Sequence, residues 1–161
     1  MSSSYVTKIG RKQSLLLPDM IEDYVDENNP TRLFDSFVGS LDLREMNFRY
    51  ATQEQGPGRP SYDPSDMLKL YLWGYYNGIR SSRKLENECH RNTEVMWLIR
   101  KLTPDFKTIA NFRKDNIDTV KSLFKKFNLF LKEQGLFKSH DTAIAINIVK
   151  EIYPQGWKNV K

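Results

Sequence analysis

Lys107, Asn111 and Lys114 are spaced four and three residues apart, in a segment that follows the turn residues Thr103 and Pro104. At about 100° per residue, this spacing puts the three side chains on one face of an α-helix. An Asn side chain can bond bidentately to adenine in the major groove of DNA, and a Lys can reach guanine or a phosphate. The residue types and their spacing therefore fit a helix that reads DNA, although Lys and Asn are also common on ordinary surface helices.

The same helix offers further contacts on and beside that face. Ala110 is small enough to approach a thymine methyl group, and Arg113 and Thr108 lie at the flanks, where contacts to phosphate usually come from. Basic residues before and after the helix could extend such contacts. The candidate DNA-contacting residues are Arg80, Arg83, Lys84, Lys107, Thr108, Asn111, Arg113, Lys114, Lys121 and Lys125.

Charge is distributed unevenly along the chain, whose net charge is +5. Residues 19–54 contain nine acidic and three basic residues, a balance of −6, whereas residues 100–138 contain ten basic and four acidic residues, a balance of +6. A concentrated basic half is expected of a surface that meets phosphates, with the acidic half held away from them. A solvated helix face with lysines for solubility is the alternative.

Start and stop signals define the central helix that must support this segment. Asp63 has the properties of an N-cap, Pro64 suits the first helical position, and Asp66 falls in the first turn, where the helix dipole favours a carboxylate. The residues that follow, as far as Ile79, leave hardly any polar face. We therefore predict a buried central helix that stops at Gly78.

Shorter helices are predicted on both sides of the central one. One begins near Pro18 with acids in its first turn, and a second begins near Pro30 or Thr31. After the central helix, the N-cap candidates of the next two helices are Ser81 or Ser82 and Asn92 or Thr93.

The strongest amphipathic pattern covers residues 116–134 and should end at Gly135. Its apolar seam consists of Ile117, Val120, Leu123, Phe124, Phe127, Phe130 and Leu131. Such a helix could support the DNA-reading helix from behind, where Ile109 and Phe112 face inward together with Asn116 or Ile117. Its large apolar content would equally suit a homodimer interface.

Because no strand-like alternation of any length precedes residue 140, the chain is predicted to be all-α, a compact multi-helix domain with a helix-turn-helix-like unit. Its 161 residues, of which 39% are apolar, suffice for one core. We expect a flexible, disordered N-terminus at 1–17, the helical domain at 18–137 and an aberrant tail at 138–161. The tail segment 143–152 could form a short helix or a strand.

Several classes of protein are disfavoured by composition. A single cysteine, Cys89, excludes an internal disulfide framework, and with only two histidines no zinc-type ligand spacing can be assembled. The chain has neither a signal-peptide pattern nor a long uninterrupted apolar window. We therefore expect a cytoplasmic protein with no membrane partner and no metal site.

Three segments, 24–43, 58–102 and 104–116, together resemble the InsH-like N-terminal domain of insertion-sequence transposases of the DDE class. The three segments contain 78 of the 161 residues, about half of the chain, in the expected order. It implies an α-helical domain that recognises the terminal inverted repeats of a mobile element in double-stranded DNA. In a complete transposase, it would be followed by a ribonuclease-H-like catalytic domain that uses three carboxylates and two divalent metals, such as Mg²⁺.

The sequence departs from that family after Phe137. Family members continue into a strand whose first catalytic Asp stands in an Asp-Gly-Ser/Thr-Lys context, whereas here Asp141 is followed by Thr142. One carboxylate cannot hold two metals, so we expect no catalytic residue and no cofactor in this chain, with Mg²⁺ belonging to the absent catalytic domain.

Three functional hypotheses follow from this departure. The first is a truncated transposase domain that binds element ends without cutting and competes with full-length transposase. The second is a subunit that completes an active transposase in trans. The third is an interaction or dimerisation module that has lost its affinity for DNA.

Overall fold

The described residues of the computed structural model, 11–12, 20–46, 48 and 61–133, form one short 3₁₀ helix and six α-helices, with no strand among them. The all-α prediction is confirmed. The helices are α1 (Thr31–Gly39), α2 (Pro64–Tyr76), α3 (Ser82–Arg91), α4 (Thr93–Leu98), α5 (Phe106–Asp115) and α6 (Ile117–Glu133). Most of the predicted flexible segment 1–17, the stop at Gly135 and the tail 138–161 lie outside the described residues.

The described part of the helix predicted from near Pro18 is irregular. Among residues 20–30, Ile21–Tyr24 is helical, as a single 3₁₀ turn, and Val25 is already extended. The guanidinium of Arg32 explains the interruption, because it donates hydrogen bonds to the carbonyl oxygens of Val25 (2.8 Å) and Asp26 (3.0 Å). These carbonyls therefore find partners without a continuing helix.

Helix α2 is the centre of the domain, as predicted. The Asp63 carboxylate accepts a 2.7 Å hydrogen bond from the Ser65 amide, and Pro64 occupies the first helical position. Eight of its residues are buried, namely Asp66, Met67, Leu68, Leu70, Tyr71, Leu72, Trp73 and Gly74. Helices α1 and α4 both pack against it. The helix ends at Tyr76, and Gly78 has the left-handed φ of 70° that favours glycine after a helix.

Helix α6 packs on the α1–α2 pair through aromatic rings. The Phe127 ring centroid lies 5.4 Å from that of Phe34 and 5.0 Å from that of Phe37. On α2, the Tyr75 ring meets Phe124 edge-on, with centroids 4.3 Å apart. Contacts of this geometry add to the free energy gained by burying the rings. The aromatic side chains of the predicted seam are thus packed inside the domain.

The predicted burial is wrong for one residue of that seam, Ile117. Ile117 is 49% exposed, whereas Asn116, its alternative for the inward position, is buried. The backbone leaves helical geometry at Asn116 (φ −124°, ψ 28°), so the periodicity of α5 does not continue into α6. The buried row of α6 begins only at Val120.

Candidate nucleic-acid interface

Helix α5 begins at a well-formed cap. The Asp105 carboxylate accepts a 2.7 Å hydrogen bond from the Thr108 amide, which satisfies one of the donors left free at a helix start. This hydrogen bond is the main reason that the pKa of Asp105 lies below its usual value, because it favours the charged form of an exposed carboxylate. The cap residue Asp105 fixes the start of the helix at Phe106, the residue immediately before Lys107.

The two faces of α5 are separated as the periodicity predicts. Ile109 and Phe112 are 0% and 3% exposed, whereas Lys107, Asn111 and Lys114 are exposed. Three polar side chains that could meet a ligand therefore share the outer face of a helix anchored on its inner face. Ala110 was expected among them and is half-buried instead, so it lies at the edge of this face.

The inner face of α5 is held by Tyr71 of the central helix. The buried Tyr71 hydroxyl donates a hydrogen bond to the Ile109 carbonyl oxygen, and its ring stacks on Phe112 with centroids 6.1 Å apart. Burial raises the pKa of Tyr71 above its usual value. The predicted burial of α2 gives no partner for Tyr71; its signal in the sequence is the hydroxyl, which needs a hydrogen-bond partner when it is buried.

The end of α5 is fixed by Asn116. Its buried side-chain amide donates a 2.9 Å hydrogen bond to the Phe112 carbonyl oxygen, and its backbone amide donates to the same oxygen at 3.1 Å. The Asn116 carbonyl then accepts from the Val120 amide in the first turn of α6. One buried residue thus closes α5 and starts the next helix.

Helix α3 packs against α5, and its basic first turn lies near the start of α5. Ser81 caps α3 by accepting from the Lys84 amide, and the guanidinium of Arg83 lies over the Phe106 ring, 4.7 Å from its centroid. Phe106 is the first residue of α5. Arg80, Arg83 and Lys84 are all exposed. The structure therefore joins Arg83 to the α5 segment, a contact that sequence reasoning missed.

The other candidate DNA-contacting residues differ in how exposed they are. Arg113 is exposed on α5, and Thr108 is half-buried. Lys121 and Lys125 lie on α6, which contacts α5, and both are half-buried rather than projecting from an open stripe.

The turn between α4 and α5 has an unusual backbone. Arg100 and Lys101 have φ values of 53° and 59°, a left-handed conformation that non-glycine residues rarely adopt. An Arg100 nitrogen lies 3.2 Å from a carboxylate oxygen of the buried Asp66, and the Lys101 amine lies 5.3 Å from the Tyr24 ring centroid. These contacts hold the turn that leads into α5. Sequence reasoning did not anticipate them, because no Gly or Asn marks the turn.

Two other features concern the described residues only. No group of three or more His, Cys, Asp or Glu side chains there could hold a metal ion, and every helix is too short or too polar to cross a bilayer. Cys89 is buried in α3, and burial raises its pKa to about 12. The predicted departure at Asp141 lies outside the described part of the chain.

Comparison with known proteins identifies the family. Residues 19–115, more than half of the chain, match the family described as Transposase domain (DUF772). No curated protein and no solved structure matches the chain. The matched range runs from the segment before α1 to the last residue of α5, and so contains the helices that carry and support the exposed basic face. The chain belongs to this transposase-domain family and has the N-terminal type of domain found in insertion-sequence transposases.

Proposed function

We propose that this domain binds double-stranded DNA at the terminal inverted repeats of an insertion sequence, through the exposed face of α5. The observation that carries the proposal is the arrangement of Lys107, Asn111 and Lys114 on the outer face of a helix whose inner face is anchored in the core. A rigid helix that presents Asn and Lys has the chemistry required to read bases in the major groove. Membership of a transposase-domain family supports the choice of an element end as the DNA.

Neighbouring side chains support contact with the DNA backbone. Arg113 and Thr108 belong to α5, while Arg80 and Lys84 stand at the start of α3, which packs against α5. Such contacts position a protein on the duplex without reading sequence. In this proposal Asn111 is the principal base reader, Lys107 contacts guanine, and Lys114 contacts a phosphate.

We assign no strand cleavage to this chain. The support is the sequence after Phe137, where Asp141-Thr142 replaces the Asp-Gly-Ser/Thr-Lys context that the family resemblance implies. Cleavage in trans by a catalytic partner is the alternative. Incubating the protein with a labelled element end and Mg²⁺ or Mn²⁺ should give no nicking. Nicking by the purified chain would contradict this assignment.

Most of the seam that the sequence suggested for a partner chain is packed within the domain. Phe127 and Leu131 are buried within the domain, and Phe130 is half-buried against Phe37. The exposed large apolar side chains on α6 are Ile117, at one end of the predicted seam, and Leu129, outside the seam. A homodimer, or a complex with full-length transposase, would therefore use surfaces other than the buried part of this seam.

The DNA proposal is tested by measuring affinity for two duplexes over a range of salt concentrations. One duplex carries the terminal inverted repeat that flanks the encoding gene, and the other is a shuffled sequence of equal length. If about five phosphates are contacted, the slope of log affinity against log salt should be roughly −4 to −5, with tighter binding to the repeat. Folded protein that binds neither duplex at low salt would refute the proposal.

A further inference from the structure

The guanidinium of Arg83 and the ring of Phe106 connect the first turns of two helices. Arg83 is the second residue of α3, Phe106 is the first residue of α5, and the guanidinium carbon lies 4.7 Å from the ring centroid. An arginine over an aromatic face is held there by the ring quadrupole and by dispersion. Arg83 has the type and exposure of a residue that neutralises phosphate, but the structure gives its guanidinium a partner within the protein.

We propose that Arg83 is a positioning residue for DNA binding, which acts by holding the first turn of α5 through Phe106 and not by neutralising a phosphate. This inference rests on the proposed function. It predicts that Arg83 contributes mainly to the distinction between the inverted repeat and other DNA.

The position of Phe106 explains why the first turn of α5 matters. Phe106 immediately precedes the exposed Lys107, so the direction of that turn sets where the lysine points. The Asp105 cap bonds the turn to its own N-cap residue and does not tie it to another helix. The hydrogen bond from Tyr71 reaches α5 three residues after Phe106, at the Ile109 carbonyl oxygen. The stacking of Arg83 therefore supplies a link to α3 at the end of α5 where Lys107 lies.

Lys84 provides a matched control for Arg83. It is the next residue on the same helix, and its side chain is also exposed. In the proposed function it contacts the DNA backbone. Loss of a phosphate contact weakens binding about equally on all sequences and makes the salt slope shallower by about one. Loss of a positioning residue should instead weaken binding to the repeat and leave the salt slope unchanged.

The experiment compares the full chain with R83Q, K84Q, F106L and the R83Q/F106L double variant, on the repeat and shuffled duplexes over a range of salt concentrations. We expect R83Q and F106L each to lower affinity for the repeat about two- to fivefold, a loss in keeping with one cation–π contact. The double variant should lose little more than either single variant, because both remove the same contact. K84Q should weaken binding to both duplexes and reduce the slope by about one.

A measurement without DNA accompanies these titrations. The Thr108 and Ile109 amides bond to Asp105 in the first turn of α5, so their hydrogen exchange reports whether that turn is held. Exchange at both amides should be faster in R83Q and F106L than in K84Q, in proteins whose circular dichroism shows the same helical content.

The outcomes separate the two proposals. If the unmodified chain binds the repeat, but R83Q reduces the salt slope by about one and weakens both duplexes equally, the positioning inference is wrong and the proposed function stands. The same conclusion follows if the R83Q and F106L losses are additive, or if exchange in α5 is unchanged. If the folded, unmodified chain binds neither duplex, the proposed function fails and the inference fails with it.

Discussion

The Tyr71 hydroxyl of α2 donates a hydrogen bond to the Ile109 carbonyl oxygen of α5, and both residues are buried. This bond fastens the helix that carries the exposed basic face to the central helix of the domain. A base-reading helix must keep a fixed orientation, because recognition in the major groove depends on the direction of each side chain. The buried hydrogen bond, together with stacking on Phe112, supplies this orientation from the core.

Replacing Tyr71 by Phe should destabilise the domain. Without the hydroxyl the Ile109 carbonyl loses a buried partner, which typically costs about 1–2 kcal/mol in the free energy of unfolding. The measurement is urea denaturation. Tyr75→Phe is the matched control on the same helix, since the described contacts of Tyr75 are ring contacts to Tyr71 and Phe124. Equal losses in the two variants would contradict a role for the Tyr71 hydrogen bond.

The domain should lose stability in alkaline solution. Burial raises the pKa of Cys89 from 9.0 to about 12, and it also raises that of Tyr71. Both pKa values are higher in the folded than in the unfolded chain, so the unfolded chain gives up its protons first as pH rises. The stability that these groups contribute is present below pH 9 and should be lost progressively above it.

The measurement is the free energy of unfolding at several pH values between 8 and about 11. Cys89→Ala should make the decline in unfolding free energy shallower near pH 9 to 10, where the thiol of the unfolded chain titrates.

A disulfide-exchange reagent should react with Cys89 only after unfolding, since the side chain is buried. Rapid reaction in the folded protein would contradict the buried position.

Gly74 should not tolerate a methyl group. A Cβ atom there would lie 2.6 Å from a Leu85 methyl carbon and 2.9 Å from the Ile79 carbonyl oxygen, so α2, α3 and the loop between them would have to move. We expect Gly74→Ala to cost about 1–3 kcal/mol in the free energy of unfolding. Gly39→Ala is the control in a second helix, because nothing lies within 4 Å of its Cβ position.

Alanine at Gly39 should leave stability unchanged or raise it by up to about 1 kcal/mol, because Ala loses less backbone entropy in a helix than Gly. Thermal unfolding of the two variants distinguishes them. A Gly74→Ala protein as stable as the Gly39→Ala protein would show that α2 and α3 pack less closely there than the structure indicates.

Arg100 and Lys101 share a left-handed backbone but should respond in opposite ways to glycine. Glycine relieves the conformational cost at either position, which is about 1 kcal/mol. Lys101→Gly gives up only an exposed contact with Tyr24 and should be neutral or slightly stabilising. Arg100→Gly leaves the Asp66 side chain, only 5% exposed, without its arginine and should destabilise by about 1–2 kcal/mol.

Chemical denaturation of both glycine variants provides the measurement. Asp66→Asn in the Arg100→Gly background should recover part of the loss, because a neutral amide is less costly to bury than an unpaired carboxylate. Equal effects of the two glycine substitutions would show that the ion pair with Asp66 contributes nothing.

The sequence predicts the helices best where local chemistry determines them. Asp63 and Pro64 mark the start of α2, and Ser81 and Asn92 are the caps of α3 and α4. The capping side chains bond to backbone amides only two or three residues away, so these helix starts can be predicted without tertiary information. The two faces of α5 were predictable for the same reason, because the 3.6-residue period is local.

Non-local contacts explain where sequence reasoning failed. Arg32 binds the carbonyls of Val25 and Asp26 from seven and six residues away and limits the first helix to one 3₁₀ turn. The bond from Tyr71 and the stacking of Arg83 join residues distant in sequence, and periodicity carries no information on such pairs. The exposure of Ile117 depends on a change of backbone conformation at its neighbour, within a continuous amphipathic pattern.

The central claim is that the exposed face of α5 meets DNA, and a single charge removed from that face tests it most directly. Lys114→Gln removes a lysine from the face, while Lys126→Gln removes another exposed lysine, on α6, that is not among the proposed contacts. Log affinity for the inverted-repeat duplex is measured against log salt for both variants and the unmodified chain. We predict a slope shallower by about one for Lys114→Gln and an unchanged slope for Lys126→Gln. Equal slopes for all three proteins would contradict the claim.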